Sequence, residues 1–306
     1  MQNVDDGSVD DDGGDDGSAS FAAARGRLFG IAYRMLGTVA DAEDVVQDSW
    51  LRWQRTDRDE VRDPVAFLAT VATRLAINAA TSAYARRTSY IGPWLPEPVD
   101  TSADPAIGAE RGEAVSLAVL MLFERLTPTE RAAYILRVAF DYSHREVAEV
   151  LQTSEVNARQ LTARAKSHLA SERRQPVRRD EQEKLLRAFL AAAQAGNLAA
   201  LEAVLAEDAV SYADGGGVVR AARNPVVGRD RVAVYLLGVA AKFGQGIDVV
   251  VAEANGAGAA YITRDGQPVA VASIEATERG IERIFLVLNP SKLAALRRTG
   301  RQGRSA

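Results

Sequence analysis

Arg159, Gln160, Arg164 and Lys166 are long cationic or amide side chains, the types that reach phosphates and base edges, and all lie within one short segment. Ala158, Leu161, Thr162, Ala165 and Leu169 recur at helical spacing in the same segment, so the polar set falls on or beside the face opposite them. A second group mixes carboxylates with exposed apolar residues: Asp41, Glu43, Asp44, Gln47 and Asp48 surround Trp50 and Leu51, a pattern that suits a basic protein partner. A third group, Asp208, Tyr212 and Asp214, offers a carboxylate base and a phenol that could steady an enolate. Both histidines, His144 and His168, lie far from that third group, and no neutral-pKa acid or base accompanies it. There is no cysteine, which removes disulfides, thiol catalysis and cysteine-ligated zinc. No metal or cofactor site is read.

The first group needs a helix-turn-helix to present it. Ser143 caps one helix and Glu146, three residues on, closes a capping box, while Val147, Val150 and Leu151 form its apolar face. After a turn at Gln152 and Thr153, Ser154 caps the helix that carries the basic face. Between Ser154 and Arg179 there are seven basic residues and two acidic ones. An ordinary pair of packed helices with a solvated basic face would share these features. The second group sits on a helix restarted at Thr38 after a stop at Gly37, with Ala42, Val45, Val46, Ser49 and Trp53 inward. Asp63 and Pro64 then start a helix with Phe67, Leu68, Val71 and Leu75 inward, and no acidic residue occurs from Pro64 to Pro96. Such a helix is compatible with a seat against phosphates.

Charge is segregated along the chain. The formal net charge is −4, but the first twenty residues hold seven Asp and no Lys or Arg, and removing those seven turns the balance to +3. Residues 1–19 read as a disordered acidic tail. No apolar run approaches the ~20 residues of a membrane span, and the acidic start is unlike a signal peptide, so a cytoplasmic protein with no membrane partner is expected. Residues 91–112 contain four prolines and form a linker whose stiff segment Trp94-Leu95-Pro96-Glu97-Pro98 displays a Trp and a Leu suited to docking. An apolar helix from about Glu113 to Leu126 follows, then a capping box with Pro at the first helical position, Thr127 to Glu130.

Beyond residue 181 the pattern changes to helix (Glu181–Ala195), short helix (Leu198–Ala206), a glycine run at Asp214-Gly215-Gly216-Gly217, another helix (Gly228–Val239) and four strand-like runs, Ile247–Ala252, Ala259–Thr263, Val269–Ile274 and Ile281–Leu288. Helices followed by an antiparallel meander predict an α+β domain whose sheet curls over the helices.

Two motifs, in this order, carry a resemblance. Residues 20–90, with DAEDVVQDSWLRW, resemble region 2 of a bacterial extracytoplasmic-function sigma factor, and residues 113–175, with LTPTERAAYILR and YSHREVAEVL, resemble sigma region 4. The resemblance implies core RNA polymerase and promoter DNA as partners. It places Asp41, Glu43, Asp44, Gln47 and Trp50 against polymerase, Asn78, Arg86 and Arg87 at the −10 element, and Asn157, Arg159, Gln160, Arg164 and Lys166 at the −35 element. Residues 181–294 look like a SnoaL-like (nuclear-transport-factor-2-like) cone, and the chain as a whole resembles the sigma subgroup fused to such a domain, of the sigma J type. That subgroup has a WLPEP linker motif like Trp94, Leu95 and Pro96 here, a DGGG run like Asp214, Gly215 and Gly216, and an NPDKL end like Asn289, Pro290, Lys292 and Leu293, with Ser291 in place of the acid. It implies regulation in cis, through contact of the last domain with the linker and region 2. A small ligand in the cone is a further possibility, and residues 295–306 read as a basic tail. The rival readings are a one-component helix-turn-helix regulator with a ligand-binding domain, and a SnoaL-like isomerase or cyclase.

Overall fold

A computed structural model describes residues 17–101, 116–170, 175–294 and 296. Within it, α1 (Ser18–Leu36), α2 (Val39–Trp53) and α3 (Pro64–Thr88) form the first bundle. Helix α1 starts at Ser18, two residues earlier than the tail was expected to end, because Gly17 is tied down: its carbonyl accepts a 2.8 Å hydrogen bond from the buried Trp53 indole. Gly37 ends α1 at φ 72°, where its N–H returns to the Tyr33 carbonyl. Helix α2 buries Ala42, Val45, Val46, Ser49 and Trp53 as its periodicity predicts. Helix α3 differs from expectation. Leu68, Ala69, Ala72, Thr73, Ala76, Ala80 and Ala83 are buried, whereas Phe67, Val71 and Leu75 are only half-buried. A face of alanines lets α1 approach closely, and the larger side chains flank the seam. The alanines also make Pro64–Ala83, at mean hydropathy 1.3, long and apolar enough to cross a membrane by length and composition, which the sequence reading missed. That helix is part of the core, and Arg74 lies in its middle.

The second helical group is α4 (Leu117–Phe123, capped by Ser116), α5 (Pro128–Ala139), α6 (His144–Leu151) and α7 (Glu155–Ala170). Residues 113–115 and the linker beyond Thr101 lie outside the described residues, as do Arg173 and Arg174. Both capping boxes form, at Thr127/Glu130 and at Ser143/Glu146. Gln152 takes the left-handed conformation at φ 52°, which turns the chain between α6 and α7, and Asn157 N–H donates to Ser154 Oγ at 3.2 Å. The two helical groups share one apolar core that runs from Leu28, Tyr33 and Leu36 through Leu68 and Ala72 to Leu122, Phe123, Ile135, Val147 and Leu161.

The last domain begins with α8 (Arg179–Gln194) and α9 (Leu198–Val204), which leads directly into β1 (Leu205–Asp214). Then come β2 (Val226–Val227), α10 (Arg229–Phe243), β3 (Ile247–Ala254), β4 (Ala257–Arg264), β5 (Gln267–Thr277) and β6 (Gly280–Val287). The sheet order is β2-β1-β6-β5-β4-β3. Strands β3 to β6 form the expected antiparallel meander, but β1 runs parallel to β6, so the sheet is mixed. One face of the sheet packs on α8, α9 and α10 through Leu186, Phe189, Leu201, Leu236, Ile274 and Ile284. The other face carries Ala259, Val271, Phe285 and Val287, and meets Leu95 of the linker, Leu117 and Ala118 of α4, and Leu293. Of the basic tail only Leu296 is described, half-buried against this second cluster.

Candidate nucleic-acid interface and interdomain latch

On α7, Arg159, Gln160, Arg164 and Lys166 are exposed on the side away from the core. Arg159 pairs with Glu155 of its own helix at 3.0 Å, and Arg164 lies 3.8 Å from Glu130. The exposed Arg159–Glu155 pair is worth ~0.2–1 kcal/mol and yields to a phosphate. Asn157 is half-buried and its amide donates to Thr153 Oγ1 at 2.8 Å, so it holds the turn.

On α2 the second group divides. Asp44, Gln47, Asp48 and Leu51 are exposed. Glu43 pairs with Arg25 of α1 at 2.8 Å, Asp41 accepts from the Thr38 hydroxyl, and Trp50 packs on Phe21 with ring centroids 4.9 Å apart.

Helix α3 contrasts with both. Asn78 is exposed, but Arg74 donates from Nε to the Val150 carbonyl at 2.9 Å and from Nη2 to Glu149 at 3.3 Å, in the last turn of α6. Arg87 is bound to the Glu124 carboxylate and to the Leu36 carbonyl, and its guanidinium lies 3.6 Å from the Trp94 ring centroid. In this arrangement Arg87 faces inward, toward all three of these neighbours. The side chain of Arg86 lies outside the described residues. Glu124 also accepts from Arg131 of α5 at 2.8 Å, and Arg131 reaches the Met35 carbonyl at 2.6 Å. Two arginines thus meet the carbonyl end of α1, where the helix dipole favours cations.

The linker is held on both sides. Glu97 N–H donates to the Gly37 carbonyl, and its carboxylate accepts from Val39 N–H at the start of α2. Burial raises the Glu97 carboxyl above its usual value. Leu95 is fully buried, and its N–H donates to Asp214 Oδ2 at 2.9 Å. Asp214, at 0% exposure, also accepts from Tyr90 Oη at 2.6 Å, Gly216 N–H at 3.0 Å and Lys292 Nζ at 2.6 Å. Lys292 in turn binds the Leu95 carbonyl and lies 4.3 Å from the Trp94 centroid. Burial pulls the Lys292 ammonium below the usual lysine value, with Asp214 opposing. Trp94 therefore stands between cations from α3 and from the last domain. Asn289 donates to Tyr90 Oη at 2.9 Å, and its carbonyl oxygen accepts from Ser291 N–H and Oγ. A hydroxyl at 291 thus has a local turn to hold. Pro290 lies half-buried between them. Gly216 sits at φ 62° against Asn289, where a Cβ would come within 2.4 Å of the amide. Gly215, Pro96 and Leu293 are buried beside this cluster.

A second polar contact was not foreseen. Asn255, in the Asn-Gly turn between β3 and β4, donates to Tyr33 Oη at 2.7 Å and accepts from Val99 N–H, and Tyr33 donates to the Glu97 carbonyl at 2.6 Å. The Asn-Gly pair between strands is a sequence signal for such a turn, though not for its partner in α1. Tyr90 and Arg131 carry no local pattern that points to their roles. The candidate acid-base set does not converge: Asp214 is enclosed, Asp208 pairs with Arg279 at 3.3 Å at the surface, and Tyr212 stacks on Phe285.

Residues 21–87 match the family described as Sigma-70 region 2, and residues 116–169 the family described as Sigma-70, region 4. The ECF RNA polymerase sigma factor SigJ of Mycobacterium tuberculosis is 38% identical over 237 residues, covering 75% of this chain and 75% of that protein. The chain belongs to the ECF RNA polymerase sigma factors. The probable ECF sigma factor SigI of the same organism is 31% identical over 288 residues, 92% of this chain and 96% of that one. The crystal structure of M. tuberculosis SigJ aligns with a TM-score of 0.72 at 32% identity, over 90% of this chain and 98% of that chain. As an ECF sigma factor the protein has core RNA polymerase and promoter DNA as partners, and it acts in transcription initiation. Its helical sigma regions precede a sheet-containing C-terminal domain, as in the SigJ structure.

Proposed function

We propose that this ECF sigma factor is restrained in cis by its C-terminal domain, and that the structure is the closed form. The observation that carries the reading is that Arg74 and Arg87 of α3 are occupied by α6 and Glu124, while Asp214 and Lys292 grip the linker between the two sigma regions. Distance supports it. Arg74 bonds directly to α6, so α3 and the helix-turn-helix lie about one helix-packing distance apart, ~10 Å. Promoter elements about 25 base pairs apart are separated by roughly 85 Å of duplex, so the closed form spans only one of them.

In the open form, Asp41, Glu43, Asp44, Gln47 and Trp50 of α2 dock on polymerase, Asn78, Arg86 and Arg87 meet the −10 element, and Asn157, Arg159, Gln160, Arg164 and Lys166 meet the −35 element. Charge and exposure support the last assignment most directly, since four of its five side chains are exposed in the closed form as well. The role of the C-terminal domain is regulatory rather than catalytic, and we assign no ligand to the cone. The test is in vitro transcription with core polymerase, comparing the full chain with one truncated after residue 178. The truncated chain is expected to transcribe more strongly, and equal activity would remove the restraint from the reading.

A further inference from the structure

Residues 215–229, GGGVVRAARNPVVGR, contain Arg220, Arg223 and Arg229 and no carboxylate. From Gly217 to Arg220, and again from Arg223 to Pro225, this loop is exposed. Arg220 and Arg223 make no hydrogen bond or ion pair among the described residues. Solvated arginines are common on any surface; the position of these two gives them meaning. A Cβ on Gly92 would stand 3.8 Å from Arg223 Cα, and one on Gly217 would stand 3.1 Å from Ile91 Cδ1. The loop therefore lies against the chain immediately after α3. Two acid-free stretches, 64–96 and 215–229, meet there, and Asp214, which precedes the loop, is buried and paired.

We propose that the Arg220–Arg223 loop extends the DNA-binding surface of α3 and holds the sugar-phosphate backbone beside the −10 element. This rests on the reading that α3 meets that element. From Asn78 to Thr88 the helix rises ~15 Å, about four base pairs of duplex, so the loop reaches backbone flanking the bases that α3 would contact. The contacts carry charge without base readout and are blind to sequence. The contacts of Gly92 with Arg223 and of Gly217 with Ile91 lie three to four residues after the end of α3, so the loop keeps its place beside α3 wherever those contacts outlast the separation of region 4. The C-terminal domain then has a productive role in the open complex besides its restraining one.

The test is DNA binding by the holoenzyme, formed from core polymerase and full-length sigma factor, as a function of salt. Arg220→Ala/Arg223→Ala is expected to reduce the slope of log K against log salt by about 2, so that wild-type affinity falls roughly tenfold more steeply between about 50 and 200 mM salt. The loss is expected to be equal on promoters with different −10 sequences, and Arg220→Lys/Arg223→Lys is expected to keep the slope. An unchanged slope overturns the proposal. So does a loss of the same size in binding to core polymerase without DNA, which would assign the loop to polymerase. The reading of α3 is checked separately with wild-type protein: if substitutions in the −10 element leave its affinity unchanged, that reading fails whatever the slope does.

Discussion

Helix α7 and helix α3 are both assigned to promoter DNA, yet one shows solvent its basic face while the other has Arg74 and Arg87 turned into the protein. Composition alone does not explain the difference, since both helices carry arginines among apolar residues. The environment does. The polar face of α7 is exposed, with Arg164 near Glu130 of α5, whereas α3 lies where α6, α4 and the linker all converge. On the proposed reading, restraint falls on region 2 and on the spacing of the two readers, and spares the −35 helix. Asp44, Gln47 and Leu51 of α2 are also exposed, so on the same reading the closed form would meet polymerase before it opens DNA.

The largest expected effect comes from removing the latch. Asp214→Ala would leave the Lys292 ammonium buried without its partner, a loss of ~3–5 kcal/mol to the closed form. Small-angle scattering should then show an expanded molecule, and α3 should bind DNA as readily as α7; an unchanged radius would break the contrast between the helices. The double variant Asp214→Ala/Lys292→Met should recover much of the closure, because no charge is then stranded.

Leu95→Ala removes a fully buried side chain from the cluster between the sheet and α4 and should cost about 2–5 kcal/mol. Faster limited proteolysis within residues 92–101 would report it. Glu124→Gln weakens the hold on Arg87 and Arg131 by ~1–3 kcal/mol. Affinity for −10 DNA should rise in the full chain and stay unchanged in a chain truncated after residue 178. Arg164→Ala is the matching probe of α7: −35 affinity should fall equally in both chains, and a larger fall in one would show that α7 is masked after all.

The smallest effect is on pH. Burial raises the Tyr90 and Tyr33 hydroxyls above the usual tyrosine value, with the Asp214 carboxylate adding to the shift at Tyr90. Their folded values exceed their open ones, so their contribution to closure is fully present below about pH 10 and is lost as pH rises through the folded values. Scattering between about pH 7 and 9 should be flat, with expansion only in the alkaline range.

Local chemistry explains what the sequence revealed. The boxes at Thr127/Glu130 and Ser143/Glu146 and the stop at Gly37 depend on residues a few positions apart, so they were visible before any packing was known. Strand β1 was legible only near Val210–Tyr212, because Glu207 and Asp208 interrupt its pattern, and its parallel pairing with β6 joins residues some seventy positions apart. The alanine face of α3 hid which side was buried, since a helix rich in small residues gives weak periodicity. The inward partners of Arg87 were hidden for a different reason: a guanidinium suited to phosphate is equally suited to Glu124 and the Trp94 ring, and only the fold decides which it meets.

The bond between Asn289 and Tyr90 joins residues 199 positions apart, and Lys292 closes on Leu95 from almost as far. Synthesis proceeds from the amino end at ~5–20 residues per second, so the last residue of α7 is made roughly 6–24 s before Lys292. During that interval both promoter-reading regions exist and the latch does not. A message cut short within the last domain would yield a permanently unlatched product, so the latch also depends on the chain being completed.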